Sequence, residues 1–120
     1  MEAESSESLD FTGLELGNDL AREIFMKLKD NRKVKMVRLT KNNLNDECLP
    51  ALLECLCSVE ILNLAQNSFS SKIFEVLETF CKENVLDKIR NIQLGQNNIN
   101  PRKHKERIEE LKKSKVFISL

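Results

Sequence analysis

Apolar residues recur at fixed intervals in three stretches of the chain. In VKMVRLTKNNL they stand at Val34, Val37, Leu39 and Leu44. In VEILNLAQNSF they stand at Val59, Leu62, Leu64 and Phe69, and in IRNIQLGQNNI at Ile89, Ile92, Leu94 and Ile99. The pairs two residues apart (37/39, 62/64, 92/94) have the alternation of a strand buried on one face. Three residues after each pair comes an asparagine: Asn42, Asn67 or Asn97. All three stretches fit L-x-x-L-x-L-x-x-N-x-L. A weaker copy, LDFTGLELGNDL, places Leu9, Phe11 and Leu16 in the apolar slots and Leu14 in the asparagine slot. The terminal VFISL offers Ile118 and Leu120 as a closing strand. The second strand position falls at Phe11, Leu39, Leu64, Leu94 and Leu120, at intervals of 28, 25, 30 and 26 residues.

Between these strands the period changes to that of amphipathic helices. NDLAREIFMKLKDN carries Leu20, Ile24 and Leu28 on one face. The next helix carries Cys48, Leu49, Leu52, Leu53 and Leu56, with Pro50 tolerable only in its first turn. The third carries Ile73, Phe74, Leu77, Phe80 and Cys81, with Ser70 or Ser71 available as a cap. The fourth is expected to start at Asn100 as cap and Pro101 as first helical residue, and offers only Ile108 and Leu111 to a core.

The repeated motif resembles the leucine-rich repeat. A helix in every repeat matches the long subtype seen in ribonuclease inhibitor, NOD-like receptors, Ran GTPase-activating protein and tropomodulin. The resemblance implies one α/β domain over residues 1–120, a right-handed solenoid with a parallel sheet on its concave face and helices on its convex face. The units are expected at about 6–33, 34–58, 59–88 and 89–114, with a closing strand at 115–120 and an acidic disordered start at 1–5. The chain turns sharply after each strand, leaving backbone groups without ladder partners. An asparagine amide both donates and accepts, so Asn42, Asn67 and Asn97 are expected to form a buried ladder. Leu14 marks the first unit as a cap.

Composition removes several function classes. Nineteen basic residues balance nineteen acidic ones, and there are six Phe but no Trp or Tyr. This points away from nucleic acid and anionic membranes. No apolar run is long enough to span a bilayer. The start lacks a secretory pattern, which suggests a cytoplasmic or nuclear protein with reduced, buried cysteines. Cys48, Cys55, Cys57 and Cys81 lack zinc-site spacing, the three glycines form no phosphate loop, and the single histidine, His104, has no evident orienting partner. Hence no catalytic residue, metal or cofactor is expected. Arg102 to Lys115 holds seven basic and three acidic residues. A solvated helix explains them, since lysines are favoured near helix C-termini.

Strand side chains not needed for the core are free to bind. The central row reads Asp10, Arg38, Asn63, Gln93, Ser119. Two residues earlier it reads Ser8, Met36, Ile61, Asn91, Phe117, and two later Thr12, Thr40, Ala65, Gly95. Met36 and Ile61 are expected side by side and exposed. Asp10 and Arg38 are placed to pair across strands. The expected function is a non-catalytic interaction module that holds a protein or peptide on the strand face. Its contact set is Met36, Arg38, Thr40, Ile61, Asn63, Gln66, Asn91, Gln93 and Gln96. Regulation of a GTPase and membership of a larger sensor or scaffold are alternatives. The open edge of the last strand predicts self-association or a missing neighbour.

Overall fold

The structure is a computed structural model that describes residues 7–55, 58–83 and 88–120. The acidic start at 1–5, Leu56 and Cys57 lie outside the described residues. The elements run β1 (Glu7–Asp10), α1 (Gly17–Leu28), β2 (Val34–Arg38), α2 (Leu49–Cys55), β3 (Ile61–Asn63), α3 (Lys72–Lys82), β4 (Asn91–Gln93), α4 (Lys105–Lys113) and β5 (Phe117–Ser119). A short 3-10 turn, Asp46–Cys48, leads into α2. The fold is α/β. Its five strands form one parallel sheet in the order β1-β2-β3-β4-β5. Parallel neighbours need a crossover, and each helix supplies one.

The register follows the rows read from sequence. Ser8, Met36, Ile61, Asn91 and Phe117 stand abreast, as do Asp10, Arg38, Asn63, Gln93 and Ser119. Between them, Val37, Leu62 and Ile92 point inward and are buried, as are Leu39, Leu64 and Leu94 just after the strands. They join Phe25, Leu52, Leu53, Phe74 and Leu77 of the helices in one core. Each helix packs on the next in the chain. The sheet is not curled, so the expected concavity is absent. Curvature accumulates from a small rotation per unit, and four crossovers accumulate little of it.

The three asparagine side chains bridge neighbouring units, with a consistent direction. The Asn67 Oδ1 accepts N–H bonds from Asn42 (2.9 Å) and Leu44 (3.0 Å) of the preceding unit. Its Nδ2 donates to the carbonyls of Leu39, Leu64 and Ala65. Asn97 accepts from Phe69 N–H and donates to Leu64 and Leu94. Asn42 accepts from Leu14 and Leu16 and donates to Phe11 and Thr40. Each side chain therefore closes the turn of the unit before it. Asn42 is fully buried, while Asn67 and Asn97 are only partly so. The described residues hold no unit before the first, so the Leu14 slot has no turn to close. Its side chain does not fill the slot and is 57% exposed.

The ends of the array depart from the sequence reading. In α1 the buried residues are Ala21 and Phe25, while Leu20 is 51% exposed. Asn18 and Arg22 of α1 bond to the following unit through Asn45 and the Glu47 carbonyl. A terminal helix has a neighbour on one flank only, and Leu20 lies on the other. Leu120 is exposed for the same reason, beyond the edge strand β5. At the fourth helix, Asn100 accepts from Arg102 N–H at 2.9 Å, but this caps a turn over 101–104. The helix itself begins at Lys105. At the third, the hydroxyl of Ser70 rather than that of Ser71 accepts a backbone N–H, from Lys72, and itself donates to Asp46. Cys81 is only half-buried, against the expectation of a core thiol.

Candidate functional site

Core demand fixes which strand side chains are left for display. One face of the sheet is consumed by the apolar pairs, and the other carries the two registered rows and the turn residues that follow them. On this open face Arg38, Gln66 and Gln96 are exposed, and Met36, Thr40, Ile61, Asn63, Asn91 and Gln93 are half-buried. All nine residues expected to contact a partner therefore lie on one face or its adjoining turn. Met36 and Ile61 are register partners but not fully exposed. Interior strands have neighbours on both sides, and their side chains shade one another. Phe117 continues their row on the edge strand and is 44% exposed. The row contains it, although the expected contact set does not.

The central row is mostly engaged with its own backbone. The Asp10 carboxylate accepts from the Thr12 N–H at 2.9 Å and from the Thr12 hydroxyl. These bonds, with a smaller pull from Arg38, hold its pKa below the ordinary value. No Asp10–Arg38 salt bridge forms among the described residues, and both Thr12 bonds fall on Oδ1 of the carboxylate. Asn63 repeats the geometry, its Oδ1 accepting from the Ala65 N–H at 3.1 Å. Asn91 donates to the Ser119 hydroxyl at 3.3 Å, while its Oδ1 is buried without a hydrogen-bond partner. Such an atom carries a desolvation cost that a better partner relieves.

Gln66 and Gln96 owe their exposure to backbone conformation. Gly13, Lys41, Gln66 and Gln96 each precede the asparagine slot, with φ of 70°, 59°, 57° and 59°. Only the first is the residue type that adopts this region freely. Gln66→Gly is expected to match or slightly exceed wild-type stability, since relief of strain is offset by a more flexible unfolded chain. Gln66→Val is expected to lose about 1–2 kcal/mol, because a β-branched side chain fits this region worst. Denaturant melts of the two variants check the contrast.

Away from this face the chemistry is structural. The His104 ring stacks on Phe74 with centroids 5.0 Å apart and planes 28° from parallel. Burial pushes the Cys48 thiol up to about 11, so it stays protonated and a poor nucleophile at neutral pH. In the basic segment, Arg107 lies 3.6 Å from Glu78 and Lys113 lies 3.2 Å from Glu110. Among the described residues no cluster of three metal-ligating side chains occurs, and no helix is long and apolar enough to cross a membrane. No protein-family model matches the chain, and no curated protein matches it.

Proposed function

We propose that the chain is a leucine-rich-repeat solenoid of the long, helix-containing type and a non-catalytic interaction module. Its ligand is a protein or peptide segment laid across the open strand face. The observation that carries this reading is the registered pair of rows, with Met36 beside Ile61 and Arg38 beside Asn63. These side chains are consumed neither by the core nor by a covering element among the described residues. Half-buried apolar side chains ringed by polar ones provide the kind of anchor on which binding energy concentrates.

The test compares wild type with Met36→Glu/Ile61→Lys, and with Gln93→Arg on the same face, in pull-downs from cell extract. Circular dichroism verifies that each variant is folded. The reading expects a protein recovered by wild type to be lost from both folded variants. Unchanged recovery moves the site elsewhere, first to the basic segment around α4. A second reading, association through the ends of the array, is supported by Leu14 and Leu20 exposed at one end and Phe117 and Leu120 at the other.

A further inference from the structure

The balanced total of charges hides an uneven placement. Parallel strands joined by helical crossovers put the helix C-termini and the strand starts on one edge of the array. Backbone bonds hold the strand starts abreast: Glu7 N–H donates to the Lys33 carbonyl, Glu60 to Lys35, Arg90 to Glu60 and Phe117 to Arg90. In the first unit this edge carries Lys27, Lys29, Arg32 and Lys33. In the last two it carries Lys82, Lys88, Lys112 and Lys115. All of these are exposed, and none makes a salt bridge among the described residues. The acids of the same stretches are Asp30, Glu83 and Asp87. The second unit brings Glu54 and Glu60, and Glu60 stands between Lys35 and Arg90 and offsets them. The pull of a helix C-terminus accounts for Lys27, Lys82 and Lys112, but it fades within the last turn. Arg32, Lys33, Lys88 and Lys115 lie past the helix ends. The opposite edge is mixed, with Glu15, Asp19, Asp46 and Glu47 in its first two turns and Arg102 and Lys105 in its last. The basic edge also exposes a large apolar side chain at each of its two ends. Met26, in the last turn of α1, is 62% exposed, and Phe117, at the start of β5, is 44% exposed.

We infer that this basic edge rests on an anionic lipid surface. The contact leaves the open face free for a partner, because that face runs away from the edge along the strands. A sheet that is not curled keeps the strand starts close to one line. Cations of the first and last units therefore meet a flat surface together. All but Arg32 are lysines, compact hydrated charges that suit a field of mobile headgroups better than one fixed planar anion. Met26 and Phe117 supply apolar side chains to the headgroup boundary. A single-stranded nucleic acid is held on successive stacking rings, and among the described residues Phe117 is the one exposed ring of this edge.

The experiment floats the full chain with phosphatidylcholine vesicles, with and without phosphatidylserine. Four proteins are compared: wild type, Lys29→Gln/Lys33→Gln, Lys88→Gln/Lys112→Gln, and Arg102→Gln/Lys105→Gln on the opposite edge. Every substituted side chain is exposed, so all four should melt alike. Wild type should float with the phosphatidylserine vesicles only, and high salt should release it. Each basic-edge variant should bind about thirtyfold more weakly, the scale of two lysines at an anionic leaflet. Arg102→Gln/Lys105→Gln loses the same charge and should bind like wild type. Absence of wild-type binding overturns the inference, as does an equal loss in the opposite-edge variant, which would mean that total charge alone decides. Loss in one basic-edge variant but not the other overturns the flat contact. Tighter binding to RNA or to polyglutamate at matched charge, lost in the same two variants, overturns the lipid surface as the occupant.

Discussion

Asn67→Ala is expected to lower the unfolding free energy by about 3 kcal/mol, roughly 12 °C in Tm for a chain of this length. The side chain serves five backbone groups: the N–H of Asn42 and Leu44 and the carbonyls of Leu39, Leu64 and Ala65. Alanine removes every one of these partners. Those facing the interior then stay unpaired at about 1–3 kcal/mol each, while those near the partly exposed side chain recover water. The direction of the ladder makes the prediction sharper than a loss of stability. Amide exchange should accelerate most at Asn42 and Leu44, in the unit before the mutation. Asn98→Ala, at an exposed side chain one residue past the last rung, is the control and should melt like wild type. Equal melting of Asn67→Ala and wild type would contradict the role assigned to the ladder.

Phe74→Ala is expected to cost about 4 kcal/mol, in the range for removing a fully buried aromatic ring. Phe74 is completely buried in α3 and also carries the His104 ring that stacks on it. Helix α4 has few other ties to the core: Leu111 is buried and Ile108 only partly so. Losing Phe74 therefore removes both core volume and a contact that holds the fourth unit. Beyond a fall in Tm of roughly 15 °C, α4 should lose amide protection before β2 and β3. If β2 and β3 open first, α4 does not depend on this contact.

The middle of the array is legible from sequence, and its ends are not. The pairs 37/39, 62/64 and 92/94 have a strict period of two, and a slip of one residue would turn every leucine to solvent. Register, inward residues and asparagine slots therefore follow directly from the pattern. Helix α1 shows where the pattern weakens. Leu20, Ile24 and Leu28 form an apolar stripe as regular as that of Ala21, Phe25 and Leu28. The choice between them depends on which flank meets α2, a tertiary fact absent from a single helix. Leu14 and Leu120 fail similarly, because each lies where the stack has one neighbour instead of two. At the candidate site, the rows are legible but the engagement of each side chain is not. Asp10 and Arg38 read as an ion pair, yet a threonine two residues along bonds one oxygen of the carboxylate and no salt bridge forms among the described residues. The same local bond recurs at Asn63. Sequence alone places these residues together without showing which atoms remain free.

The claim at the centre of this account is that the open strand face, and not the helical layer, receives the partner. Backbone amide shifts of the isotope-labelled protein, followed by NMR as a recovered peptide is titrated in, test it most directly. The account predicts a contiguous set of shifts across Met36, Arg38, Ile61, Asn63, Asn91 and Gln93, fading toward the ladder asparagines. Shifts concentrated in 102–115, with the strand rows unmoved, would contradict it.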